Sequence, residues 1–177
     1  DDGNGAQTVS PNPTGSPFTI QGLTASTSYT ITVQADCGTS QANAVSATAA
    51  TSCAVIAAPH SEDFDANSSL PICWSQSTSD DFDWSVGSGG TPSTGTGPSD
   101  DLTGGGNYLF IEATGQSVGG AASVLSPTFD LSSLTTPQLV FSTNMNGAAM
   151  GSLEVNISTD AGANWSQIFT KSGDQGT

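Results

Sequence analysis

The chain of 177 residues carries 16 Asp plus Glu against a single Lys or Arg, Lys171, so its formal net charge is -15. Neutralising phosphates takes Lys and Arg, so this composition excludes a nucleic-acid binder. The same shortage excludes a polybasic membrane anchor and an Arg clamp for phosphate or carboxylate substrates. No apolar run approaches the roughly 18 residues of a membrane-spanning helix, and the opening Asp1, Asp2 and Gly3 lacks the character of a secretory signal peptide.

With 34% apolar residues, 21 Gly and 9 Pro, the chain is broken by turn formers at short intervals, and no segment sustains an apolar period near 3.6. Short alternating runs of Val, Ile, Thr, Phe and Trp instead predict an all-β chain of two small units. Residues 1–17, rich in Gly, Pro, Asn and Ser, read as a loop or edge segment, and a strand begins at Phe18, Thr19 and Ile20. Residues 29–35 set Tyr29, Ile31 and Val33 on one face and Thr30, Thr32 and Gln34 on the other, and residues 44–51 form the next strand. From Cys53 onward acids alternate with aromatics, first over 62–65 and again over 80–84. Residues 87–106 are a Gly, Ser, Thr and Pro run, and a loop that long in a compact domain is either functional or unusually well pinned. Strands follow at 107–113, 138–144 and 152–158, the last with Leu153, Val155 and Ile157 toward the core and Glu154 and Asn156 toward solvent. Residues 160–164 read as a hairpin turn leading into 165–169.

Two resemblances emerge from these blocks. Leu23, Thr27 and Tyr29 are spaced as in the tyrosine corner of the fibronectin type III family, in which a buried phenol needs a backbone partner for its hydroxyl. That resemblance covers residues 1–52 and implies the C-terminal half of such a β-sandwich, so the chain is expected to start within a domain. The second covers about residues 61–177, within a domain expected over 53–177. Its blocks are Glu62 to Asp65, Cys73 with Trp74, Asp81 to Trp84, Pro92 with Ser93 and Gly95 to Ser99, Gly106 to Ala113, Leu125 to Pro127, and Gly173 to Gly176. All seven stand in the order of the MAM domain, and the resemblance implies a jelly-roll-like β-sandwich. Two positions depart from the family pattern: Glu62 stands where a Cys is usual, and Leu102 where a His is common. The family pattern also continues past Thr177 with a Trp and the final strands, so the chain is expected to be incomplete at both ends.

Three Cys without metal-ligand spacing and without a Cys-x-x-Cys pair predict an exported protein with one disulfide and one thiol. The MAM resemblance favours Cys53 with Cys73, and Cys37 with Cys53 is the alternative. Catalysis is not expected. The one His, His60, stands beside a Pro in linker-like sequence, no Gly-x-Ser-x-Gly elbow surrounds any Ser, and Glu112 and Glu154 sit mid-strand facing solvent. Metal chemistry is better supported. Asp63 and Asp65, like Asp81 and Asp83, are two apart, so in extended structure each pair shares a face while Phe64 and Phe82 point to the core. Carboxylates without basic partners stay solvated or gather round a hard cation, and relatives of the resembled family bind such ions near these blocks. The candidate ligands for a structural calcium, or sodium, are Asp65, Asp83 and Asp101, with Asp63 next.

Ser158, Asp160, Gly162 and Trp165 resemble an Asp-box hairpin, which implies a turn in which Asp160 caps the backbone, Gly162 takes a positive φ and Trp165 folds over. Trp74, Trp84 and Trp165 are candidate ligand contacts for a polysaccharide, and Gln138, Asn144 and Asn146 could supply hydrogen bonds. The MAM pattern, however, uses the first two Trp as core framework. These readings imply a non-catalytic binding or adhesion module of a secreted or cell-surface parent, of a style also seen on bacterial surfaces. Its partners would be a cell-surface protein or a polysaccharide, together with neighbouring domains of the parent. The alternative is a carbohydrate-binding accessory module of a secreted hydrolase.

Overall fold

The computed structural model describes Thr8, residues 15–36, Gly38 and residues 41–176. Among these there are strands and no helix, hence none long and apolar enough to cross a membrane. The fold is all-β. It divides into two compact units, residues 1–54 and 55–177.

In the first unit, β1 (Ser28–Val33) and β2 (Val45–Ala50) form an antiparallel pair with Tyr29 opposite Ala49 and Ile31 opposite Ala47. Tyr29 and Ile31 are half-buried, whereas Val33 is exposed. The expected strand at Phe18 to Ile20 is not formed; those residues are exposed and outside any ladder. The Tyr29 hydroxyl accepts a hydrogen bond of 2.9 Å from the backbone N–H of Thr24, the partner a half-buried phenol requires. The Thr51 hydroxyl donates to the Thr24 carbonyl at 2.7 Å and accepts from the Thr27 N–H at 3.0 Å, pinning the same corner.

The second unit is built from short strand pairs. β3 (Ile56–Ala57) lies parallel to β8 (Phe129–Asp130), and β4 (Ser75–Gln76) is antiparallel to β7 (Val124–Leu125). Likewise β5 (Ser85–Ser88) is antiparallel to β6 (Asn107–Phe110), and β9 (Ser152–Ile157) to β10 (Ser166–Ser172). In β9, Leu153 and Val155 are half-buried and Glu154 and Asn156 exposed, as the alternation predicts, but Ile157 is exposed. The ladder shifts register between Gln167 and Phe169, which turns Phe169 inward beside Val155 and leaves Ile168 outside.

Aromatic contacts mark the packed positions. Phe64 meets Trp74 edge-on at 5.1 Å, Tyr108 lies 6.0 Å from Phe110, and Phe141 meets Phe169 edge-on at 5.1 Å. Met145 is the buried hydrophobic side chain among the described residues, at 7% exposure. Close approach of β5 to β6 requires Gly87, because a methyl there would stand 2.7 Å from Cε1 of Phe110. Gly87→Ala must displace that ring, and the expected cost of such overpacking is about 1–3 kcal/mol, read as a lower denaturant midpoint at unchanged m-value.

Two expectations are corrected here. Residues 138–144 form no strand among the described residues. They run without a ladder partner and leave Val140 87% exposed, the β-rich sequence notwithstanding, because a strand needs a neighbour for its backbone groups. Glu112 does not point freely to solvent from a strand. It is half-buried just beyond β6 and accepts hydrogen bonds from the Ser93 hydroxyl and the Thr114 N–H, both at 2.9 Å. The Thr114 hydroxyl first, then the Thr114 N–H and the Ser93 hydroxyl, hold its carboxyl below the usual range.

Cys53 and Cys73 are both in disulfide linkage. Cys37, the runner-up partner, lies outside the described residues, as do residues 1–7 and 9–14 of the expected opening loop.

Candidate functional site

The acidic blocks are shaped by turns. Phe64 takes a φ of 64°, and the N–H of Asp65 donates to Oδ1 of Asp63 at 3.0 Å. The segment therefore bends and is not extended as the spacing of its acids suggested, and the Asp63 carboxylate is engaged in that turn. Burial nonetheless alternates: Asp63 and Asp65 are exposed around a half-buried Phe64, and Asp81 and Asp83 around a half-buried Phe82.

The long run before β6 is well pinned. The Thr91 hydroxyl donates to the Thr96 carbonyl at 2.8 Å, and the Gly97 N–H donates to the Asn146 carbonyl at 3.0 Å. Its end wraps round Asp100 and Asp101. Asp101 accepts from the Thr103 hydroxyl and N–H, from Gly104 N–H at 2.6 Å and from Gly106 N–H at 3.0 Å. Asp100 accepts from Gly105 N–H at 2.9 Å and Asp101 N–H at 3.0 Å. The glycines allow this: Gly104 and Gly105 have φ of +85° and +95°, and their amides turn inward onto the carboxylates. The Thr103 hydroxyl first, then the Gly106 and Thr103 amides, hold the Asp101 carboxyl down at about 2.

Asp65 is delivered to the same place from the other side. Its Oδ1 accepts the Asn107 N–H at 2.6 Å, while the Asn107 amide donates to the carbonyls of Phe64 and Asn67, both at 3.2 Å. A methyl on Gly106 would stand 2.8 Å from Oδ2 of Asp101 and closer still to Oδ1 of Asp65. Two carboxylates thus flank one glycine in a chain with one basic side chain. Asp83 is exposed between Phe82 and Trp84. Among the described residues no group of three or more His, Cys, Asp or Glu is gathered for a metal. Asp65 and Asp101 are therefore the pair of the four candidates that the fold brings together. Sequence reading missed Asn107, which ties the two loops, and Asp100. The local signal was present: a Gly-Gly-Gly stretch between two Asp and a strand-initial Asn, the composition of an Asx-type anion-holding loop.

The three Trp differ. Trp74 packs on Phe64, and the half-buried Trp84 donates its indole N–H to the Ala122 carbonyl at 3.0 Å. Trp165 is 52% exposed. It folds over Gly162, whose added methyl would lie 3.6 Å from the ring and whose φ is +86°. Asp160 accepts from the Asn164 N–H at 2.9 Å, the Asn164 amide at 2.7 Å and the Ser158 hydroxyl at 2.8 Å. The turn is formed as the Asp-box pattern implied.

The Asn164 amide, its backbone N–H and the Ser158 hydroxyl hold Asp160 down at about 2. Both Asp101 and Asp160 have folded-state values below their ordinary 3.8, so the unfolded chain takes up protons first. Their stabilising contribution is present above about pH 4 and is lost as pH falls through about 2. Carboxyl carbon shifts followed by NMR should titrate near pH 2 for these two residues, and midpoints at the ordinary value would show that the hydrogen bonds do not persist in solution.

The family model for the MAM domain, meprin/A5/mu, matches residues 63–177. Neuropilin-1 of Xenopus laevis is 33% identical over 107 residues, covering 59% of this chain and 11% of the frog protein, so the chain spans about a tenth of that relative's length. No solved structure matches the chain. With most of its length matched by the family model, and with the acid and aromatic blocks placed as described, the chain belongs to the MAM domain family.

Proposed function

We propose that this chain is a non-catalytic, extracellular binding and adhesion module of a larger secreted or cell-surface protein, stiffened by a structural calcium or sodium ion held between Asp65 and Asp101. The observation that carries the cation is the meeting of these two carboxylates at Gly106 in a chain of net charge -15. Calcium takes six to eight oxygens, so two carboxylates would leave most of its shell to be completed by water or backbone carbonyls. Bound there, the ion neutralises the Asp65 and Asp101 charges and locks the 62–67 loop to the 100–107 loop. Residues 1–52 are read as the C-terminal half of a fibronectin type III domain, on the Tyr29 hydroxyl bond to Thr24. The disulfide is read as Cys53 with Cys73.

The test is thermal unfolding of the whole chain with calcium, sodium or EDTA. Calcium at about a hundredfold excess over its Kd should add about 2.7 kcal/mol and raise Tm, with Asp65→Asn plus Asp101→Asn abolishing the rise. An unchanged Tm in both salts would remove the cation from the reading.

The second reading is a carbohydrate-binding accessory module of a secreted hydrolase. It is favoured by the placement of Asn144, a candidate sugar contact, in a cleft with Asp100 and Asp101.

A further inference from the structure

Beside the acid loops lies an open cleft of about 320 Å³, lined by Gly97, Pro98, Ser99, Asp100, Asp101 and Asn144. Small-molecule sites start at about 300 Å³, so the volume suits one pyranose ring and little more. We propose that this cleft binds the terminal residue of a neutral glycan. The inference deepens the second reading above and does not depend on the cation.

The chemistry of the lining selects that ligand class. Asp100 is an acceptor only, and each of its carboxylate oxygens takes one backbone N–H and keeps lone-pair capacity for another donor, whereas each oxygen of Asp101 already takes two donors. Sugar hydroxyls supply such donors in adjacent pairs, and hydrogen bonds to an ionised acceptor are the stronger kind. The Asn144 side chain accepts the Asn146 N–H through Oδ1 at 3.2 Å, which fixes its orientation and reserves the amide N–H₂ as a donor to a ring or hydroxyl oxygen. The Ser99 hydroxyl can serve either way. Acceptors and donors thus converge on one volume, the pattern a polyol satisfies and an apolar ligand does not.

The same lining rejects anionic sugars. No base stands among the six residues, and two carboxylates would repel a uronate or a sulfate ester. It also sets the affinity. None of the six is aromatic, so no stacking platform adds apolar burial, and binding of a single residue is expected on the order of millimolar. The cleft wall is firm for a loop surface: Gly97 is tied to the Asn146 carbonyl, and a methyl on Gly97 would collide with the Thr91 side chain. The ligand would therefore meet a preformed surface.

The experiment is a ¹⁵N-HSQC titration of the whole chain with glucose, galactose, mannose and N-acetylglucosamine, with glucuronate as control, each with calcium and with EDTA. At least one neutral sugar should shift the amides of residues 97–101 and 144, glucuronate should not, and Asn144→Ala should weaken the response about fivefold or more. Ser99→Ala, an exposed change, serves as the second variant and should weaken it less. Absence of saturable shifts with every neutral sugar, or shifts confined to the Trp165 hairpin, would overturn the proposal. Saturable shifts in EDTA together with a calcium-indifferent Tm would keep the sugar site and discard the cation. A calcium-raised Tm without sugar shifts would do the reverse.

Discussion

Replacing Cys53 and Cys73 together by Ser should lower the free energy of unfolding by on the order of 3 kcal/mol, the chain-entropy value for closing a loop of about this length. For a small β protein with Met145 as the buried hydrophobic side chain among its described residues and many large apolar side chains exposed, that is a large share of the total. The effect acts mainly through the unfolded chain, which gains freedom without the crosslink, so the far-ultraviolet spectrum should stay strand-like in dilute denaturant while the midpoint falls. Connectivity is checked separately by peptide mapping without reduction. Trypsin has one site, Lys171, and is useless here, but cleavage at acids is well suited. No acid lies between Asp36 and Glu62, so Cys37 and Cys53 share one peptide, while Glu62, Asp63 and Asp65 separate it from the peptide holding Cys73. A Cys53 to Cys73 bond joins two peptides and leaves Cys37 open to alkylation. A Cys37 to Cys53 bond would appear as one internally bridged peptide, and would defeat both the assignment and the stability estimate.

What the sequence made legible was local. Alternation placed β1, β2, β6, β9 and β10 within a few residues, because a strand's two faces are written at period two in its own residues. The Asp160 turn was legible for the same reason: Ser158, Asp160, Gly162 and Asn164 bond to one another within a span of seven residues. Pairing was not legible. The parallel match of Ile56 with Phe129, and the failure of 138–144 to gain a ladder partner among the described residues, depend on residues far away in the chain. The acid site falls between these cases. Asp65 and Asp101 could be chosen as carboxylates within family blocks, but their meeting is arranged by Asn107, which reaches back some forty residues to Phe64 and Asn67. Glu112 went astray because its position suggested a strand continuing past β6, whereas the chain turns and the carboxylate is captured by Ser93 and Thr114.

Gly106→Ala should separate the cation's role from that of the carboxylates themselves. Unlike Gly104 and Gly105, Gly106 has no left-handed φ, so alanine meets no backbone strain, and the loop can retain its path. The added methyl instead occupies the space in which Asp65 and Asp101 approach each other. Both side chains must swing aside, which breaks the Asn107 N–H bond to Asp65 and the Gly106 N–H bond to Asp101. In the absence of a cation this relieves repulsion between two like charges and offsets part of the lost bonding, so the change in stability in EDTA should be small, within about 1 kcal/mol. With a cation, the two carboxylates can no longer converge on it, and affinity should fall at least about tenfold, equivalent to about 1.4 kcal/mol. The expected signature is a Tm rise with calcium in the native chain and nearly none in Gly106→Ala, with the two Tm values close in EDTA. Isothermal titration with calcium chloride gives the affinity directly. Equal calcium responses in both proteins would place any ion away from Asp65 and Asp101. An equally large Tm loss in EDTA would make Gly106 a packing glycine and the paired acids a solvated surface.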